Sequence, residues 1–267
     1  LNLTHAVEPS GIEVIKDGSD GLEARIRVTG TDFSWPLLPP REPALDLTVE
    51  VIQDYIIHPG DRYVTLETTV QNTGNKAMNL LQAEVLLMGS SLALNAQGLP
   101  PGEIVGPTSY LAAQGTETIG AAYGYAAGQG RMTIVFEDAA QTGAILGQSR
   151  IAAGKSATFK RYFLVGDRDV ASVTDAYYAL RGERTGTLQG VLEDPSGAPV
   201  ANAHITVLNG DGGYLTECLS RPDGTFATSL PVGAVSLSIA ATGRTPQQAG
   251  PFTLSAGNTT AAPITLG

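Results

Sequence analysis

The sequence predicts an all-β protein: a large β-sandwich with one short helix, followed by a smaller β-sandwich. Three observations lead there. Apolar and polar residues alternate with period two along nearly the whole chain, the mark of half-buried strands. The 32 Gly and 16 Pro punctuate it densely enough for many turns. Hydrophobic residues make up 42% and charged residues only 16%, so a core is affordable without staples. At roughly 100–200 residues per domain, a chain of 267 residues divides into two.

The clearest strands are Ala24/Ile26/Val28, Leu45/Leu47/Val49/Val51, Val64/Leu66/Thr68/Val70, Met132/Ile134/Phe136 and Val235/Leu237/Ile239. Each places its apolar side chains on one face. Turn chemistry separates them at Pro59-Gly60-Asp61, Asn72-Thr73-Gly74-Asn75, Pro100-Pro101-Gly102, Ala153-Gly154-Lys155, Pro195-Ser196-Gly197 and Pro222-Asp223-Gly224, where fixed or positive φ lets the chain reverse.

One segment has helical spacing. Val170, Val173, Tyr177 and Leu180 recur at helical intervals between acidic Asp169 and Arg181, and Gly182 follows. Those are the preferred residues at the two ends of a helix. The small, polar stretch Gly182–Gly186 behind it marks the expected boundary, giving domains of residues 1–185 and 186–267. Charge does not distinguish them: the first carries 14 basic and 21 acidic side chains, the second two and five.

Several function classes are disfavoured at once. A net charge of −10 lacks the basic footprint of a nucleic-acid binder and suits an anionic membrane surface no better. A lone cysteine, Cys218, leaves no intrachain disulfide or multi-Cys metal knuckle, and three histidines leave little for a zinc enzyme. No apolar run reaches 18 residues, so membrane insertion is not expected. With no initiator Met or signal peptide, the chain reads as a processed product or a fragment of a larger exported bacterial protein, placed outside the cell or in its envelope.

Gly190-Val191-Leu192-Glu193-Asp194-Pro195-Ser196-Gly197-Ala198-Pro199-Val200 through Val207, then Pro222-Asp223-Gly224-Thr225-Phe226 and Leu230-Pro231-Val232-Gly233, resemble the carboxypeptidase regulatory-like domain. That resemblance implies a small transthyretin-like sandwich attached to another module. In the first domain, Val70–Leu81 resembles a hairpin of the galactose mutarotase-like supersandwich, and Ile151–Phe163 resembles the closing strand of that fold. A mutarotase needs an acid and a base on opposite sides of a sugar ring, which that family supplies with His and a carboxylate. Here the strand continues Leu81-Gln82-Ala83-Glu84-Val85 without the histidine. The expectation is a supersandwich kept as a scaffold or a sugar-recognition surface.

Candidate site residues follow from chemistry. Trp35, in the proline-rich Asp32–Arg41 stretch, could stack on a sugar, although a Trp beside prolines more often packs over the end of a sandwich. Tyr123 and Tyr125 share one side of an extended Gly120–Gly130 and could form a second stacking pair, or pack across a sheet. That glycine-rich run lacks the strand, spacing and Lys of a nucleotide loop. If the chain is an enzyme, a polysaccharide lyase or hydrolase, Glu84 is the candidate acid or base. Glu84, Glu67, Glu50 and Asp54 otherwise read as solvated carboxylates. Asp167 and Asp169 could share a cation, but Asp169 has a sufficient role at the helix start. Asn209–Gly213 reads as a tight turn rather than a calcium loop. His204 is expected to face solvent or a seam between domains, and Cys218 to be buried and inert.

Together these observations lead to the expectation of non-catalytic accessory or recognition β domains with no cofactor and no bound metal. The expected partners are a carbohydrate or another module of the same polypeptide. The alternatives are the carbohydrate-active enzyme and a surface adhesin that binds protein through a sheet edge.

Overall fold

The computed structural model describes residues 5–34, 48–87, 92–115, 122–138 and 141–267. Strands make up 62% of it and helix 5%, so the protein is an all-β sandwich protein. The strands are β1 (His5–Asp17), β2 (Ala24–Ser34), β3 (Val49–Ile57), β4 (Tyr63–Asn72), β5 (Met78–Leu87), β6 (Leu92–Ala96), β7 (Gly106–Thr108), β8 (Tyr110–Gly115), β9 (Ala122–Ala127), β10 (Met132–Asp138), β11 (Gln141–Ile151) and β12 (Ser156–Gly166). Helix α1 (Val170–Arg181) follows. Then come β13 (Thr185–Glu193), β14 (His204–Asn209), β15 (Tyr214–Leu219), β16 (Thr225–Pro231), β17 (Gly233–Ala240), β18 (Gln247–Leu254), β19 (Thr259–Ala261) and β20 (Ile264–Thr265).

The chain packs into two compact units. One comprises Leu1–Glu84, Ala127–Gln129 and Ile145–Phe163, and the other Val85–Ala126, Gly130–Ala144 and Leu164–Gly267. The sequence boundary expected at 185/186 falls inside the second.

In the first unit, antiparallel strands run β1-β2-β3-β4 with β12 beside β4, and β5 lies beside β11. Val49, Val51 and Val70 of the larger sheet pack with Ile151, with Met78, Leu80, Ala157 and Phe159 around them. Asn72 holds the end of this core. Its side-chain amide donates to Lys76 O (2.7 Å) and Ile151 O (3.1 Å), and its Oδ1 accepts from Gly74 N (3.0 Å). Five of the six predicted turn glycines have positive φ. Gly74 is the exception, required for space instead, since a Cβ there would lie 2.4 Å from Thr48 Oγ1.

In the second unit, β8 pairs with β6 and β9, β7 pairs with β10, and the C-terminal strands form the sheets β16-β13-β19 and β15-β14-β17-β18. Helix α1 lies among them as its end signals predict. Asp169 caps it from extended backbone, with Oδ1 accepting from Ser172 N (3.1 Å), and Gly182 closes it in the left-handed region at φ 63°. The capping carboxylate also reaches β15, where Oδ2 accepts from Leu219 N (2.8 Å). Burial pushes its pKa up against those two hydrogen bonds.

The helix is held on several sides. Gln114 Oε1 of β8 accepts from Val170 N (3.1 Å), and the Thr174 and Thr216 hydroxyls are 2.8 Å apart. Asp175 Oδ1 accepts from Thr228 Oγ1 (3.1 Å) and Ser229 N (2.8 Å). Tyr110 packs on Tyr177, with ring centroids 4.9 Å apart, and its hydroxyl donates to Leu215 O. A backbone clip, Gly98 N to Tyr214 O (2.8 Å) and Tyr214 N to Leu99 O (2.7 Å), adds to the joint. Tyr177 and Tyr178 are buried there. The C-terminal sandwich is therefore continuous in packing with residues 85–126.

Two predictions follow from these joints. Asp169→Ala removes the cap and the Leu219 acceptor together, and should cost about 1–3 kcal/mol, read as a lower urea midpoint at unchanged slope. An unchanged midpoint would contradict the role given to Asp169. The second concerns Asp194, whose hydrogen bonds, first from Ser196 Oγ and then from Ala198 N, hold its pKa at about 2. A carboxyl depressed in the folded state contributes stability that is present above its unfolded pKa and is lost as pH falls toward 2. Asp194→Asn should therefore show a shallower loss of stability between pH 5 and about 2, and identical pH profiles would refute it.

Candidate functional site

The large sheet of the first unit has two chemically different faces, and strand register shows which residues share each. On one, Ile12 pairs with Val28, Val28 with Gln53 and Gln53 with Thr68. One step along, Val14 pairs with Ile26, Ile26 with Tyr55 and Tyr55 with Leu66. Cross-strand partners point the same way. This is also the face that carries Val49, Val51 and Val70, so it begins as dry core.

Beyond that core the same face turns polar, then apolar and exposed. Arg161 of β12 is 5% exposed. Its guanidinium donates to Thr68 Oγ1 (2.5 Å) and Gln53 Oε1 (3.5 Å), forms an ion pair with Glu84, and lies 5.0 Å from the centre of the Phe159 ring. Gln53 Nε2 donates to Tyr55 Oη (2.6 Å). Past this belt, Ile12 is 75% exposed, Val14 61%, Ile26 44%, Ile57 42%, Tyr55 39% and Phe163 39%. Phe163 stands two residues beyond Arg161 on β12, and therefore on the same face.

The opposite face is charged and internally matched. Glu13 pairs with Arg27, Arg27 with Asp54 and Asp54 with Glu67. Arg27 grips Asp54 through two 2.8 Å hydrogen bonds, Arg25 adds one at 3.3 Å, and Lys160 meets Glu67 at 2.8 Å. Arg27 first, and then Arg25, keeps the Asp54 carboxyl below its usual range despite desolvation. Asp54 corrects the expectation of a solvated carboxylate, because it is 4% exposed beneath the two arginines. The alternation of Glu50, Ile52, Asp54 and Ile56 gave no warning, since the arginines belong to another strand.

The sequence-derived candidates do not converge. Trp35 lies outside the described residues. Glu84 is the counter-ion of Arg161. On β9, Tyr123 is 38% exposed and Tyr125 only 4%, so ligand access differs between the two. The glycines around them have packing roles: a Cβ at Gly124 would lie 2.5 Å from Val173 Cγ1, and one at Gly128 2.6 Å from Lys160 O. His58 Nδ1 lies 3.1 Å from Asp61 and its Nε2 3.7 Å from Glu23.

In the C-terminal strands, His204 is exposed beside Glu217 at 2.8 Å, and that hydrogen bond raises its pKa. Cys218 is buried, and burial pushes its thiol pKa well up. Asn209 Oδ1 accepts from Asp211 N (3.0 Å) and Gly213 N (2.8 Å), closing the expected turn. Among the described residues, no cluster of three His, Cys, Asp or Glu side chains is arranged to hold a metal ion. Sequence reasoning passed over Arg161, which beside Lys160 reads as an ordinary strand cation, and the Ile12/Val14 alternation, which did signal a strand face.

Residues 187–267 match the carboxypeptidase regulatory-like domain family. No curated protein matches the chain. Similar solved structures include the α-galactosidase from Lactobacillus brevis, at 9% identity and TM-score 0.47 over 71% of this chain and 32% of that one. The GH36 α-galactosidase AgaA from Geobacillus stearothermophilus gives 12% and 0.44 over 72% and 33%. A protein assigned as an aldose 1-epimerase from Klebsiella pneumoniae gives 11% and 0.33 over 66% and 57%. The chain thus spans about a third of the length of the galactosidases it matches.

Removing one charge from the Arg161 pair tests its role. Glu84→Gln should destabilise the protein by about 1–3 kcal/mol, less than the roughly 3–5 kcal/mol of a fully buried pair, because Glu84 is partly exposed. Unchanged stability, combined with loss of a polysaccharide-cleaving activity, would return Glu84 to the role of acid or base.

Proposed function

We propose that this chain is a non-catalytic accessory module of a larger, exported bacterial polypeptide, and that the large sheet of its first unit docks against an apolar protein surface of another module. The observation that carries the reading is the row of exposed Ile12, Val14, Ile26, Tyr55 and Ile57 in cross-strand register. Single exposed apolar residues are ordinary, whereas a contiguous group marks an interaction surface. Its composition favours protein over sugar. A sugar subsite needs hydrogen-bonding groups beside an aromatic ring, and here the neighbouring polar groups, Gln53, Thr68, Arg161 and Glu84, are bonded to one another. Branched aliphatic side chains suit the dry centre of a protein interface.

The structure gives less support to binding through a sheet edge. In the C-terminal sandwich, Ser229 N of β16 is bonded by Asp175 and Leu219 N of β15 by Asp169, and β18 contains Pro251. In the first unit, β1 has Pro9 and two register shifts. These are the devices by which proteins blunt exposed edges.

A thermal-shift series with oligosaccharides, with and without Ca²⁺, separates docking from sugar recognition. The docking reading expects no shift with any sugar. A saturable rise with one sugar class that disappears in Tyr123→Ala would establish a sugar site instead.

A further inference from the structure

The C-terminal sandwich carries a groove that none of the preceding roles uses. It has a volume of about 440 Å³, and its lining includes Gly190, Val191, Arg221, Ala227, Ala261 and Pro263. It forms where a strand ladder is interrupted. β13 pairs in parallel with β19 as far as Gln189 and Ala261, and pairing resumes with β20 at Leu192 and Ile264. Between them stands Pro263, which has no N–H to donate, opposite Gly190, where a Cβ would lie 2.1 Å from Ala262 O and 2.6 Å from the Phe226 ring. The glycine lets Ala262 and Phe226 close in beneath the strand, and the groove is walled by the exposed apolar groups of Val191, Ala227, Ala261 and Pro263.

One group in this lining is charged. Residues 186–267 contain two basic side chains, Arg221 and Arg244. Arg244 is committed to Asp194 (3.2 Å) and Leu266 O (3.1 Å). The guanidinium of Arg221 forms no hydrogen bond or ion pair among the described residues, although its charge adds to the hydrogen bonds from Thr225 that hold the Asp223 carboxyl below its usual range. Its acidic neighbour, Asp223, is turned toward Thr225, accepting from its N (3.0 Å) and Oγ1 (2.7 Å). The arrangement is a mostly apolar trough with one cation in its lining, on a sandwich whose other charges are mostly acidic.

We propose that this groove binds a small amphipathic carboxylate, a free aliphatic or aromatic monocarboxylic acid. Its apolar part lies over Gly190 between Val191 and Pro263, and its carboxylate meets Arg221. The guanidinium fork matches a carboxylate in charge and geometry, and the apolar walls add contacts that a fully hydrated anion such as sulfate cannot use. This site is independent of the docking face in the first unit.

The test is a ¹H–¹⁵N NMR titration of the full chain with hexanoate, with hexanamide as the uncharged control and sulfate as the apolar-free anion. Saturable shifts centred on Gly190, Val191 and Ala227 are expected with hexanoate, with much weaker effects from the other two. Arg221→Gln should weaken hexanoate binding about three- to five-fold, as for a solvent-exposed charge pair. Ala261→Glu, an exposed substitution that places a like charge at the rim, should abolish it while leaving the rest of the spectrum intact. Three results would each overturn the proposal: no saturable shift up to about 20 mM hexanoate, in the weak-binding range for so small a ligand; equal shifts from hexanamide; or unchanged affinity in Arg221→Gln.

Discussion

The rest of the structure depends on how the large sheet disposes of its charges. Burying an ion without a partner is costly, and burying one with a well-placed partner is tolerable. On one face Asp54 sinks beneath Arg27 and Arg25. On the other, Arg161 sinks beside Glu84, Thr68 and Gln53 at the margin of the valine core. Both arrangements use up the reactive capacity of their groups. A carboxylate gripped by two arginines is a poor base, and a guanidinium already bonded to a carboxylate has little left for a substrate. The same pairing that lets charged residues sit within the sheet therefore removes them from chemistry.

The apolar remainder of the face takes its meaning from that constraint. Beyond Arg161 the strands return to Ile, Val and Tyr, with exposures that reach 75% at Ile12. In the second unit the best-tied element is the helix. Helix α1 is wrapped by buried tyrosines, and its Asp169 and Asp175 close strand donors that would otherwise be free. The second unit also exposes apolar side chains, among them Val105, Val135, Phe136 and Val232, whereas in the first unit those of Ile12, Val14, Ile26 and Tyr55 stand in one cross-strand register. That shared register is the physical basis for reading the chain as a module that docks.

Much of the architecture was legible in the sequence because it rests on local rules. The turn glycines, the Asp169 and Gly182 helix ends, the Asn209 turn and the C-terminal strand pattern depend on residues a few positions apart. The site was less legible because it rests on long-range facts. Alternation at Ala24, Ile26 and Val28 shows that these residues share a face, but whether anything covers that face is set by strands far away in sequence. Asp54 has the same local pattern as a solvated strand carboxylate, and only the register with β2 brings Arg27 against it. Gly124 sits in a run that suggests a loop, yet it is a strand glycine made necessary by Val173 of the helix, 49 positions later.

The most direct test of the docking claim is carbene footprinting of Ile12, Val14 and Ile26, compared between this chain alone and the longer polypeptide of which we propose it is a module. Strong labelling in the isolated chain and clear protection in the longer polypeptide, with Leu22 labelled equally in both, is the expected result. Equal labelling of all four residues in the two samples would contradict the account and leave the apolar face without a partner.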